Sequence, residues 1–342
     1  MARGDSSLLY IVGADRPEQL QITGNSFQLA GSTDLYKLLG QQPYHRLHMT
    51  PNYFRQARRP DIDGYDTFLN LITEPEHNSR VLDNLRKLLR GQHGKVVNRP
   101  EAVLRSTRDQ VARRLAGIDR LVVPKVARLR GGSPQAAART LDRSGMPYPL
   151  ILRESGTHTG KIISLVENAS ALADTLPSRG EFIATEFVDF RSADGLYRKF
   201  RVFFIGGQMI FRHMLVSENW NVHASTRSGY MADRQHLVDE EEARFAQPDG
   251  GFPEAVLATL RAIRGRIELD YFGIDFALLA NGEVLLFEAN ATMNFIYFPK
   301  TAQFDYLRAC IMPATNAFRE LLGLAPVPLE LGLNALARPR PD

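Results

Sequence analysis

The sequence predicts a chain of the α/β class with mixed α+β character, on three observations. A short apolar strand and a helix of clear amphipathic spacing follow one another in the first quarter. Strand signals crowd the stretch from Pro149 onward, and two apolar runs joined by Asn281-Gly282 read as a β-hairpin. At 342 residues the chain is too long for one small core and suits two or three subdomains.

Taken in order, residues 8–12 form a short buried-type strand followed by Gly13, and residues 65–72 are a second apolar run. Residues 78–90 carry Val81, Leu82, Leu85, Leu88 and Leu89 at helical spacing and stop at Gly91. Val96-Val97-Asn98-Arg99-Pro100 ends a third strand at a turn, and Ser106 is placed to cap a helix containing Val111 and Leu115. Strands then dominate at 150–153, 161–166, 182–188 and 200–205, with 208–212 after the Gly206-Gly207 turn. A helix over 254–267 precedes the hairpin, and the Pro-rich stretch 326–342 reads as a loosely held tail. No internal repeat is present. Boundaries near residues 98 and 188 divide the chain into 1–97, 98–188, 189–325 and the tail 326–342.

Composition narrows the classes. With 44% hydrophobic and 23% charged residues the chain is an ordinary globular protein. Its single cysteine, Cys310, rules out an internal disulfide and a cysteine-cluster metal site, which makes a reducing cytoplasm the default compartment. No apolar run approaches the roughly 20 residues of a membrane span, and the first residues show no signal-peptide core. The net charge of +4 is small for this length, and the arginine clusters at 55–59 and 105–130 carry no nucleic-acid-binding motif. The expected partners are therefore small acidic ligands, with no nucleic acid and no membrane.

The hairpin at residues 274–290 places two acids against each other. A type I′ turn at Asn281-Gly282 would put Ala280 opposite Glu283 and hence Asp275 opposite Glu288, with Asn290 one pleat further on the same face. In that register Ile274, Phe276, Leu278, Leu285 and Phe287 share one face, and Ala277, Leu279, Val284 and Leu286 the other. Opposed carboxylates with Cβ atoms about 4.5–5.5 Å apart repel by roughly 3–4 kcal/mol at an effective dielectric near 20. A divalent cation relieves that repulsion, and two carboxylates with an amide oxygen suit Mg²⁺, which commonly shares its sphere with substrate phosphates and so points to ATP. The alternatives are a carboxyl that stays protonated or acids paired with arginines. A register slip of one residue would separate the acids onto opposite faces.

Other segments fit an anionic ligand. Arg153-Glu-Ser-Gly156-Thr157-His-Thr-Gly160-Lys161 is a glycine- and hydroxyl-rich loop between two strands, with a cation at each end, either an ordinary hairpin turn or a cradle for phosphates. It is not a P-loop, since the glycine spacing is wrong and no helix follows. Thr185-Glu186-Phe187-Val188 ends a strand before a polar segment and offers backbone groups that an adenine edge can pair with; an edge strand with a polar turn is the plain alternative. Lys199 and Arg201 alternate with Phe200 and Val202, which puts two cations on one face, either for an anion or as a solvated sheet face. His213 and His223, near Trp220, match no zinc spacing and read as packing or substrate-contact residues.

With these pieces in order, the chain resembles the ATP-grasp enzymes, a group that includes glutathione synthetases, D-alanine–D-alanine ligases and ribosomal-protein glutamate ligases. The resemblance spans roughly residues 98–295 and rests most on Gly273-Ile274-Asp275 followed by Glu288-Ala289-Asn290. It implies an ATP-grasp fold, two α+β subdomains gripping ATP after an α/β domain, with Asp275, Glu288 and Asn290 holding Mg²⁺, or Mn²⁺ in its place. It also implies that Glu186, Phe187 and Val188 bind adenine and that Gly156, Thr157, Gly160 and Lys161 belong to the mobile phosphate loop. Two departures stand out. Arg108 and Arg153 occupy the places of the family's two ATP-binding lysines, and arginine is not interchangeable with lysine. Lys199 replaces an acid that commonly precedes Arg201, which leaves Asp189 and Asp194 as ribose contacts.

The resemblance implies an ATP- and Mg²⁺-dependent enzyme that joins a carboxylate to an amine, small molecule or peptide, through an acylphosphate. Arg153, Arg201 and Arg212 are the expected catalytic cations, on the transferring phosphate or the acceptor carboxylate. A kinase of the same fold and a non-catalytic nucleotide-binding protein remain alternatives, and so does a homodimer beside a monomer.

Overall fold

A computed structural model describes residues 8–16, 18, 20–23, 26–29, 34–40, 42–155, 162–296, 298–299 and 301–327. The first part contains β1 (Leu8–Gly13), the small antiparallel pair β2 (Leu20–Thr23) and β3 (Ser26–Leu29), β4 (His45–Met49), β5 (Thr67–Asn70), α1 (Ser79–Leu88) and β6 (Lys95–Val97). Four of these strands make a parallel sheet in the order β4-β1-β5-β6, with α1 as the crossover between β5 and β6. Val81, Leu82 and Leu85 of α1 are buried, as their spacing requires. The Asp15 carboxylate accepts the Arg80 and Val81 amides at 3.0 and 2.8 Å, satisfying two of the amides a helix start leaves unpaired. At Gly13 a Cβ would lie 2.5 Å from the Met49 carbonyl oxygen, so the close approach of β1 to β4 demands glycine.

The chain leaves this sheet through Asn98, at φ 53°, and the turn expected at Pro100 is instead a short helix, α2 (Pro100–Leu104). Helix α3 (Arg108–Leu115) follows. Ser106 does not cap it: Thr107 holds the cap position, and the Ser106 hydroxyl donates to the Val103 carbonyl at 2.7 Å. Then come β7 (Leu121–Val122), β8 (Val126–Arg130), α4 (Pro134–Arg143), β9 (Leu150–Glu154), β10 (Ile162–Val166), α5 (Ala169–Thr175) and β11 (Glu181–Glu186). Both helices have working caps, Ser133 Oγ accepting the Ala136 amide and Asn168 Oδ1 the Ala171 amide. An antiparallel sheet, β10-β9-β11-β8, packs with them around Leu141, Leu150, Leu152, Val166 and Leu172.

The last part has β12 (Tyr197–Ile205), β13 (Gln208–Ser217), α6 (Gln235–Phe245), α7 (Glu254–Arg266), β14 (Tyr271–Leu278), β15 (Val284–Asn290) and α8 (Ile311–Leu321). Its sheet runs β13-β12-β14-β15-β7, so β7, drawn from between α3 and β8, closes the edge in parallel to β15. The apolar core of this sheet is continuous with that of the first, whereas the middle sheet encloses a core of its own. Asn98 ties the first and last sheets together. Its amide donates to Asp270 Oδ2 (2.6 Å), its Oδ1 accepts the Asp270 amide (2.7 Å), and its Nδ2 donates to the Tyr271 carbonyl (3.1 Å).

Among the described residues no helix is long and apolar enough to cross a membrane. Most of the expected tail lies outside the described residues.

Candidate active site

A cleft of about 730 Å³ opens along the seam between the two cores. One wall is the middle sheet, with Ile151, Arg153, Ile162 and Thr185, and the other is the last sheet, with Lys199, Asp275, Leu286 and Glu288. Glu186, Phe187 and Val188, at the end of β11, line it too, as does Arg108 from α3.

Across the last sheet the backbone lays out one charged row. His213 pairs with Arg201, Arg201 with Asp275, and Asp275 with Glu288. Arg201 grips Asp275 with Nε on Oδ1 at 2.5 Å and a terminal nitrogen on Oδ2 at 2.7 Å, and Lys199 Nζ lies 3.5 Å from Oδ2. Burial pushes the Asp275 carboxyl up, but Arg201 and Lys199 outweigh it and hold the group below its usual range. Burial pulls the Lys199 ammonium down against the opposing pull of Asp275. Glu288 accepts from Arg108 at 2.5 Å, and the same guanidinium donates to the Phe287 carbonyl at 2.6 Å. The acids' repulsion is thus relieved by arginines and a lysine.

The opposition of Asp275 and Glu288 arises by a different route from the one the turn suggested. The loop has three residues, Ala280, Asn281 and Gly282. Leu279 donates to the Glu283 carbonyl at 2.9 Å, Gly282 has φ 76°, and Asn281 is not among the described residues of positive φ. Near the turn the register is therefore one residue off, with Leu278 opposite Val284 and Phe276 opposite Leu286. This corrects the expected face sets, since Val284 and Leu286 oppose Leu278 and Phe276. A bulge at Phe287 then restores the count, so that Asp275 meets Glu288.

Arg153 sits on β9 opposite Ile183 with its guanidinium turned into the cleft, and its Nε has no hydrogen-bond partner. Burial, helped by Arg108 and opposed by Glu288, pulls its pKa down to about 10. Thr185 Oγ1, on the same wall, is likewise buried without a partner. Both are groups a ligand would satisfy.

The remaining predicted residues are distributed as follows. The Glu186 and Phe187 amides, expected to be free for a base, already donate to the Lys125 and Pro149 carbonyls at 2.9 and 3.1 Å. Asp194 is bound to Arg198 at 2.8 Å and Asp189 to Arg191, and neither lines the cleft. Arg212 is buried beside the row, donating to the Phe295 carbonyl at 2.7 Å and lying over the Phe298 ring at 4.5 Å, with burial pulling its pKa to about 10. His213 Nε2 is buried without a partner, and burial, then Arg201, keep that imidazole neutral. Gly156, Thr157, Gly160 and Lys161 lie outside the described residues. Trp220, Asn221, His223 and Phe190 all line the cleft, with Trp220 edge-on to Phe187 at 5.6 Å; of the four the sequence marked only His223, as a packing or substrate-contact residue. The polar and aromatic run after β13 was the signal for the first three.

Among the described residues no group of three or more His, Cys, Asp or Glu could hold a metal. Asp275, Glu288 and Asn290 fit a hard cation in donor type and placement, and most of their oxygens already accept hydrogen bonds. Both Asp275 oxygens face Arg201, Glu288 Oε2 faces Arg108, and Asn290 Oδ1 accepts the Thr292 amide and hydroxyl at 2.9 and 2.6 Å. A metal would share or contest these oxygens and draw its remaining ligands from the nucleotide and water.

No protein-family model matches the chain, and comparison with curated protein sequences finds no match. Among solved structures it is similar to a RimK domain ATP-grasp protein from Sphaerobacter thermophilus, at 15% identity and a TM-score of 0.52 over 92% of this chain and 99% of that one. It is also similar to the VanG D-Ala:D-Ser ligase from Enterococcus faecalis, at 12% identity and a TM-score of 0.49 over 94% and 99%. The first of these carries the assignment that the element order, the two facing sheets and the cleft between them suggest: the chain has the ATP-grasp fold.

Proposed function

We propose that the chain is an ATP-dependent ligase that joins a carboxylate to an amine through an acylphosphate. The observation that carries this reading is Arg153, a half-buried cation lining the cleft, whose buried Nε has no described partner. With Arg108 and Lys199 it makes three cations in the lining beside the three acids Glu186, Asp275 and Glu288. A buried guanidinium nitrogen that none of these acids satisfies fits a polyphosphate. Mg²⁺ held by Asp275, Glu288 and Asn290 would neutralise the charge that develops on the phosphates.

The residues' work is binding and charge stabilisation. Arg153 and Arg108 hold the phosphates from the two sides of the cleft, and Phe187, Phe190 and Trp220 supply the apolar surface for a base. A carboxylate oxygen of the first substrate bonds to the γ-phosphorus as the bond to the bridging oxygen breaks, and ADP leaves with that electron pair. The amine nitrogen then bonds to the acyl carbon, phosphate departs with the C–O pair, and the surplus proton goes to solvent. Arg201 in the row and Arg212 beside it serve the transferring phosphoryl group or the acceptor's carboxylate. We assign residues 1–97 to substrate binding, 98–188 and 189–325 to the two jaws, and the cytoplasm as the compartment, which suits the reduced, buried Cys310.

Incubation with ATP, Mg²⁺, a pooled amino-acid and peptide library and hydroxylamine tests the reading. ADP together with a hydroxamate is the expected result. ADP with a phosphorylated hydroxyl compound and no hydroxamate would replace the ligase with a kinase, and no ADP above background would remove both.

A further inference from the structure

We propose that Arg108 is an exchangeable counter-ion for Glu288, which keeps the acid pair closed to divalent cations until a nucleotide arrives and draws the guanidinium onto its phosphates. The inference rests on the reading of the cleft as a nucleotide site. It concerns how that site admits its metal.

Three observations carry it. Asp275 and Glu288 are opposed across adjacent strands, and Arg201 and Lys199 reach the first while Arg108 reaches the second. A metal that bridges the two acids must therefore compete with these partners. The two pairs are not equally placed to yield: the Asp275 side chain is 4% exposed and doubly held by Arg201, whereas Glu288 is 29% and Arg108 22% exposed, and both line the cleft. The Arg108–Glu288 pair is the one a ligand reaches. Finally, Arg108 is anchored at two points of the β15 bulge, the Phe287 carbonyl and the Glu288 carboxylate, and it belongs to α3, a different element from either acid. It can turn away from Glu288 without disturbing the Asp275–Arg201 pair in the sheet beneath.

The electrostatics set the direction of the exchange. Arg108 neutralises Glu288 and repels a divalent cation approaching that carboxylate, which opposes its entry. A nucleotide polyphosphate offers Arg108 a charge-assisted partner, freeing Glu288 for the metal. Metal and nucleotide binding are then coupled, each strengthening the other.

The test is Mn²⁺ binding by the full chain without nucleotide, read from the resonance of free Mn²⁺, for the parent, Arg108→Gln and Arg108→Lys. We expect Arg108→Gln to bind Mn²⁺ about tenfold or more tightly than the parent. Arg108→Lys, which keeps the charge, should stay near the parent, and adding Glu288→Gln to Arg108→Gln should abolish the gain. No gain in Arg108→Gln, or a gain that survives Glu288→Gln, overturns the proposal. If Arg108→Gln does not fold, the parent decides: tight Mn²⁺ binding without nucleotide overturns the proposal, and Mn²⁺ binding only with a non-hydrolysable ATP analogue upholds it. The metal arm needs no nucleotide. A gain in Arg108→Gln with no analogue binding by the parent would therefore reject the nucleotide-site reading, whereas analogue binding without the gain would reject only the exchange.

Discussion

Replacing Arg153 with methionine should strengthen the empty protein and cripple its ligand binding, two effects that a structural arginine would not combine. Arg153 is charged and half-buried, its buried Nε has no hydrogen-bond partner, and desolvation is the first cause of its lowered pKa of about 10. That depression corresponds to about 3 kcal/mol of unfavourable environment for the cation, and relaxation of the cleft reduces what a variant recovers to about 1–3 kcal/mol. On the ligand side, a charge-assisted hydrogen bond to phosphate is worth about 1.5–3 kcal/mol, so losing one weakens binding by about ten- to 150-fold. Arg153→Lys should fall between, because the charge survives and the planar fork does not. Urea unfolding without ligand measures the first effect, and calorimetric titration with a non-hydrolysable ATP analogue and Mg²⁺ measures the second. A destabilised Arg153→Met protein with unchanged nucleotide affinity would refute the reasoning and make Arg153 a fold-supporting residue.

Three further outcomes follow from other parts of the molecule. Asp275→Asn should destabilise the fold by about 3–5 kcal/mol in thermal or urea unfolding, because it strands Arg201 and Lys199 inside the sheet; the metal-only picture of two bare acids predicts a neutral or stabilised protein. Asn98→Ala should cost about 2–4 kcal/mol and speed amide exchange at Asp270 and Tyr271 first, since Asn98 holds both amides from a left-handed conformation; uniform exchange across the chain would count against a latch. Glu76, which bonds Arg128 at 2.7 Å and Ser155 at 2.7 Å, has a net lowered pKa, the partners outweighing burial. The stability it contributes is complete above the unfolded pKa near 4.5 and is lost as pH falls through the lower folded value, so Glu76→Gln should flatten the acid limb of stability against pH; an unchanged limb would remove Glu76 from that account.

Much of the site was readable because its parts are local. Gly273 to Asp275 and Glu288 to Asn290 are close in sequence, and the alternation that put Lys199 and Arg201 on one face needs only the period of a strand. The Asp275–Glu288 pairing was reached through a turn of the wrong length, and the bulge at Phe287 cancelled the error. Nothing in the alternation signals a bulge in the middle of an apolar run, so the faces of Val284 and Leu286 were misjudged while the acids were not. Long-range partners were the least legible. Arg108 meets Glu288 across 180 residues, Asn98 meets Asp270 across 172, and neither has a local pattern. Helix α4 has a good start signal in Ser133-Pro134, but the arginine-rich stretch before it reads as charge and not as structure.

Trp220, the only tryptophan in the chain, is part of the wall of the proposed nucleotide site, against Phe187. Titrating the protein with Mg²⁺ and a non-hydrolysable ATP analogue while following tryptophan emission is therefore the most direct measurement. The account predicts a saturable change in emission that Arg153→Ala shifts to at least about tenfold higher nucleotide concentration. Emission that stays constant in the parent chain at every nucleotide concentration, with no heat of binding in a parallel calorimetric titration, would contradict it.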